Sequence, residues 1–121
     1  MMFVQKVDHT ENIKLASLQH NTKLNKMSTK AHVYMLTNER GNVLYIGSTD
    51  DLKKRIYFHK NRLIPGFTKK YNAHKLVYFE EHPNLESALT REKYLKGKSR
   101  TKKNKLIISM NPNLNDLSTL L

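Results

Sequence analysis

The first ordered pattern in the chain is Ala31-His32-Val33-Tyr34-Met35-Leu36-Thr37, a run of strand formers. Asn38 to Asn42 follows as a turn, where Gly41 is free to take positive φ. Val43-Leu44-Tyr45-Ile46-Gly47-Ser48 then predicts a second strand, and the short connection predicts an antiparallel hairpin. Pairing Thr37 with Asn42 would set Tyr34 directly opposite Tyr45, both phenols on one face. Ser48 to Asp51 supplies hydroxyls and carboxylates that can cap a helix. Leu52, Ile56, His59 and Leu63 keep helical spacing until Pro65-Gly66 breaks it. A third strand is predicted over 74–80, centred on Leu76-Val77-Tyr78-Phe79. Pro83-Asn84 opens a second helix carrying Leu85, Ala88, Leu89 and Leu95 and ending at Gly97. Ser99 can cap a third, which Pro112 stops near Met110. The order strand-strand-helix-strand-helix-helix predicts an α+β domain on a small three-stranded antiparallel sheet.

Residues 1–30 show no such pattern, with only Ile13, Leu15 and Leu18 suggesting a weak helix. They are expected to be a poorly ordered extension, with the compact domain over 31–121 and Met27 a candidate natural start. A chain of 121 residues suits one domain of modest core, and 38% hydrophobic residues suffice for it to fold. The absence of cysteine excludes disulfides and thiolate metal sites. No apolar run approaches a membrane span, and the N-terminus lacks a signal-peptide core, so a cytoplasmic protein is expected.

Charge changes the picture most. A net charge of +12 points to a polyanionic partner, because clustered cations neutralise phosphates and release counterions. Lys53 and Lys54, Lys69 and Lys70, and Lys96, Arg100, Lys102 and Lys103 are the candidate phosphate contacts. The last group falls in Lys96–Lys105, where six of ten residues are basic. The segment 66–72 mixes Lys69 and Lys70 with Phe67 and Tyr71. It suits either a backbone contact with base stacking or a solvated loop with a packed Phe67.

Three further positions carry candidate chemistry. Arg55 and His59 share one helix face and flank the apolar stripe. Arg55 either snorkels over the core or grips a phosphate. Glu92 lies on the apolar stripe of the second helix, where an ionised carboxylate must be paired or metal-bound. A salt bridge and a divalent-metal site both fit, and an oxygen ligand suits Mg²⁺. Tyr34 and Tyr45 read singly as strand aromatics, and a phenol with a pKa of about 10 is a weak base unless charge stabilises its phenolate.

Taken together, Tyr34, Tyr45-Ile46-Gly47, Arg55, His59 and Glu92 resemble the GIY-YIG nucleases. The resemblance covers about residues 31–118 and is closest to a standalone single-domain bacterial branch. It extends to homing endonucleases and to the first incision domain of bacterial excision repair. His32-Val33-Tyr34 departs from the first motif, with His where the family has Gly. The resemblance implies hydrolysis of phosphodiester bonds with one metal ion. Glu92 would hold Mg²⁺ or Mn²⁺, and Tyr34 with His59 would activate water. Arg55 would hold the phosphate, Tyr45 would place the phosphate or leaving group, and Gly47 and Asn111 would support the site. The expected activity is endonuclease or nickase, with DNA ahead of RNA, in repair, recombination or processing. The alternatives are a nucleic-acid-binding module with little or no catalysis, and a subunit to which a protein partner delivers substrate.

Overall fold

The computed structural model describes residues 30–121. The expected extension lies outside the described residues except for Lys30, as does Met27. Strands β1 (Ala31–Thr37), β2 (Leu44–Thr49) and β3 (Lys75–His82) form one antiparallel sheet in the order β2-β1-β3. Helices α1 (Leu52–Lys60), α2 (Phe67–Lys70), α3 (Leu85–Lys96) and α4 (Arg100–Met110) join them, followed by a 3₁₀ turn at Leu117–Leu120. This is the expected α+β order, with α2 added.

Side-chain alternation gives the sheet two cores. On one face Val33, Met35, Leu44 and Ile46 pack under Ala88 and Leu95 of α3 and Ile107 of α4. On the other, Tyr34, Leu36 and Tyr45 pack under Leu52 and Ile56 of α1 and Phe67 of α2. Each fully buried aliphatic side chain contributes roughly 1.5–3 kcal/mol. A bulge in β3 breaks the alternation, because Met35 pairs with Tyr78 but Leu36 pairs with Leu76. The extra residue, Val77, turns to the same core as Tyr78.

The hairpin register differs from the expected one. Thr37 pairs with Leu44, so Tyr34 faces Gly47 and Tyr45 faces Leu36. The turn is longer than Gly41 alone suggests. Asn38 Oδ1 accepts from the Asn42 amide, Gly41 N–H donates to Asn38 O, and Thr37 Oγ1 donates to Val43 O. A shift of two residues preserves parity, so both tyrosines still share a face.

Helix boundaries follow their caps. Asp51, Asn84 and Ser99 each accept from a backbone amide in the first turn of α1, α3 and α4. Helix α1 stops earlier than the apolar spacing predicts. Asn61 caps it and Arg62 turns to φ 55°, which leaves Leu63 59% exposed rather than on the buried stripe. The C-terminal turn is pinned by Asp116, which pairs with Lys60 at 2.6 Å and accepts from the Leu76 amide of β3. Among the described residues, no helix is long and apolar enough to cross a membrane.

Candidate active site

The second core holds a polar cluster. Tyr34 comes from the central strand, Tyr45 from the edge strand β2, and Arg55 and His59 from α1. All four are buried, Arg55 completely. Their separation of four residues carries Arg55 and His59 on one helix face, turned to the sheet. The rings of Tyr34, Tyr45 and His59 lie 5.4–6.0 Å apart between centroids. Gly47, opposite Tyr34, adds no side chain to this face.

His59 is bonded through both nitrogens. Nε2 lies 2.9 Å from the Tyr34 hydroxyl and Nδ1 lies 3.2 Å from Thr68 Oγ1. Burial, and then the Arg55 guanidinium, lower its pKa from 6.5 to about 3. The imidazole is therefore neutral at physiological pH and a poor proton acceptor. A neutral imidazole has a single N–H. Nε2–H donating to Tyr34 with the Thr68 hydroxyl donating to Nδ1 satisfies both contacts, and so does the other tautomer, with Nδ1–H donating to Thr68 and the Tyr34 hydroxyl donating to Nε2.

This depressed pKa makes stability pH-dependent. Above pH 6.5 neither folded nor unfolded chain protonates His59. Between 6.5 and about 3 the unfolded chain takes up a proton that the native state does not. Stability on this account is full above 6.5 and falls through that window, by up to several kcal/mol at about 1.4 kcal/mol per pKa unit. Urea denaturation at pH 7, 5 and 4 should show the loss, and His59→Gln should flatten it. Equal slopes for the two proteins would remove His59 as its source.

Glu92 approaches from the other side of the sheet. It is fully buried on α3, and its Oε1 accepts from Ser48 Oγ at 2.5 Å. Its Oε2 lies 2.5 Å from Lys96 Nζ, an ion pair one helical turn away. Ser48 neighbours Gly47 but points to the α3 face, whereas Tyr45 and Gly47 point to α1. β2 is one of the two edge strands of the described sheet.

The other candidates divide. Lys53 and Lys54 are exposed on α1, and Lys69 and Lys70 on α2, the helices that carry Arg55 and Thr68. Lys102 is exposed on α4, across the sheet. Arg100 donates to Gly41 O, and Lys103 Nζ approaches Lys96 O at 3.4 Å. Lys96 itself is only 13% exposed and turned to Glu92. Asn111 is buried, with its amide donating to Val77 O and Asn115 O and accepting from Asn115 N. It thus fastens the chain after α4 to β3. Phe67 is buried and stacked on Tyr45 at 6.5 Å, so the packed alternative describes it. Tyr71 is 42% exposed and lies 4.8 Å from the Phe67 ring.

Ser48 and Thr68 were not singled out from the sequence as partners of Glu92 and His59. Strand alternation signals Ser48, which faces away from Tyr45. Nothing local signals Thr68, whose position depends on the one-turn helix α2.

The model of the GIY-YIG catalytic domain matches residues 30–105. A UPF0213 protein of Clostridium perfringens is 42% identical over 66 residues, which cover 54% of this chain and 71% of its own. A UPF0213 protein of Streptococcus pneumoniae is 33% identical over 92 residues, covering 76% of this chain and 91% of its own. The solution NMR structure of a UPF0213 protein from Bacillus halodurans matches with 27% identity and a TM-score of 0.47, over 75% of this chain and 96% of that one. The family match spans residues 30–105, and the chain belongs to the GIY-YIG nuclease superfamily, among its UPF0213 proteins.

Proposed function

We propose that the protein is a metal-dependent endonuclease that nicks DNA, with the compact domain over 31–121 as its catalytic unit. The observation that carries this reading is the Tyr34–His59–Thr68 relay beside buried Arg55, with the buried carboxylate of Glu92 across the same edge strand. A module that only binds nucleic acid gains nothing from burying these groups.

The residues fit a hard divalent ion. Glu92 offers carboxylate oxygens beside the Ser48 hydroxyl, and the Lys96 ammonium shows that this carboxylate already draws a cation. Among the described residues there is no group of three or more His, Cys, Asp or Glu side chains that could hold a metal. A single carboxylate is enough for Mg²⁺ or Mn²⁺, which completes its shell with water and phosphate oxygens. When bound, the ion neutralises charge on the departing oxygen.

The chain's own residues do the rest. Tyr34 Oη acts as a phenolate, its own proton lost to solvent and its charge held by the Arg55 guanidinium and His59 Nε2–H; it takes a proton from the attacking water and returns to the neutral phenol. Its position in a dry cluster fixes the direction of attack. Arg55 supplies a permanent positive charge and a planar fork that matches phosphate oxygens as the transition state gains charge. Tyr45 orients the phosphate or leaving group by hydrogen bonding. Lys53, Lys54, Lys69 and Lys70 hold the flanking phosphates and fix register without reading sequence. A protein partner that delivers substrate is compatible with this scheme. The proposed setting is the cytoplasm, in DNA repair, recombination or processing.

The test is relaxation of supercoiled plasmid in Mg²⁺, Mn²⁺ or EDTA. The expected result is nicking in either metal and none in EDTA. Tight, salt-sensitive binding without nicking in either metal would instead favour a binding module or a partner-dependent subunit.

A further inference from the structure

Two donors already hold the carboxylate of Glu92. Ser48 Oγ donates to Oε1 and the Lys96 ammonium lies on Oε2, both at 2.5 Å. Glu92 is fully buried and the Lys96 side chain is only 13% exposed, unlike an ordinary solvated pair between helix neighbours. An ionised carboxylate in such a place needs a compensating cation, and the Lys96 ammonium supplies one. A divalent ion on the same oxygen would stand within a few Å of the ammonium. Like charges that close repel strongly where water is excluded. Ammonium and metal ion therefore exclude each other at Oε2.

We propose that Lys96 is the resident counter-cation of Glu92, so that metal loading exchanges the ammonium for the divalent ion. The inference builds on the reading of Glu92 as the metal ligand. No bond is made or broken except coordination, and the displaced ammonium keeps its charge. Its long stem, anchored at the last turn of α3, lets it swing outward toward a substrate phosphate. A bound phosphate would welcome both cations, so the ion binds weakly to the free protein and more tightly once nucleic acid is present. Lys96 thus acts as a positioning residue that keeps the carboxylate ready and ties metal loading to substrate.

The experiment measures Mn²⁺ binding by electron paramagnetic resonance of the free ion, first without nucleic acid. The proteins are the full-length chain, Lys96→Met, Lys96→Arg and Glu92→Gln. Lys96→Met should bind Mn²⁺ about tenfold tighter or more, since the competing charge is gone. Lys96→Arg should stay as weak as the unaltered protein, and Glu92→Gln should lose the site. A short oligonucleotide should tighten binding to the unaltered protein and change Lys96→Met much less. Equal affinities for the unaltered protein and Lys96→Met, both lost in Glu92→Gln, would overturn the exchange while leaving Glu92 as the ligand. Binding that survives Glu92→Gln unchanged would overturn both. If Lys96→Met is too unstable for titration, its melting temperature decides. Mn²⁺ should raise it more than it raises that of the unaltered protein, and an equal or smaller rise would contradict the proposal.

Discussion

Arg55→Ala should abolish nicking, with a loss of about 10³-fold or more, the range seen when a transition-state arginine is removed. Arg55 is completely buried beside the tyrosine and histidine rings, so the variant should also lose about 2–5 kcal/mol of stability from the cavity it opens. A third readout separates charge from packing. The guanidinium helps hold the His59 pKa near 3, so its removal should move that pKa back toward 6.5 in an NMR titration. Burial, the larger cause, would keep it from returning fully. Arg55→Lys should hold His59 low yet still cut poorly, because an ammonium keeps the charge and loses the planar fork. An Arg55→Lys variant that cuts at the unaltered rate would leave charge alone as the role of Arg55.

Tyr34→Phe should reduce nicking by about 10²–10⁴-fold, the usual span for losing a general base. The fold should survive. Phenylalanine keeps the ring that packs 6.0 Å from Tyr45 and loses only the hydroxyl bonded to His59 Nε2. The stability cost should be at least about 1 kcal/mol, the scale of a buried hydrogen bond. DNA binding should be unchanged, since the hydroxyl is not a phosphate anchor. A variant that cuts normally would exclude Tyr34 as the base. One that neither cuts nor binds would point to a positioning role.

Much of this site was legible in the sequence, for identifiable reasons. Parity along a strand is robust, so Tyr34 and Tyr45 could be placed on one face even though their pairing was two residues off. The shift came from side-chain bonds between Asn38 and Asn42, which lengthen the turn beyond what Gly41 signals. Helical spacing put Arg55 with His59, and put Glu92 on a buried stripe, because both are local. The two readings of Glu92 left open by the sequence are a salt bridge and a metal ligand. The structure displays the first, with Lys96, and the second remains our proposal.

What the sequence hid depends on contacts between distant segments. Thr68 meets His59 only because α2 folds over α1, and four residues are too few to show a period. Asp116 reaches Lys60 and Leu76 across the chain and closes the second core with Leu117 and Leu121 packed beneath. Lys96 stands in a run of basic residues that suggests solvent, yet its position one turn after Glu92 turns it inward. Leu63 continues the apolar spacing of α1 but lies beyond the helix end, because Arg62 takes a left-handed backbone.

The most direct measurement sets Glu92→Gln beside the unaltered protein in the plasmid assay with Mg²⁺, with DNA affinity measured in parallel. Glutamine keeps the shape and a hydrogen bond to Ser48 but removes the charge that pairs with Lys96 and would hold the metal. The account predicts that nicking disappears while DNA binding stays the same or tightens. A Glu92→Gln protein that nicks at the unaltered rate would contradict it.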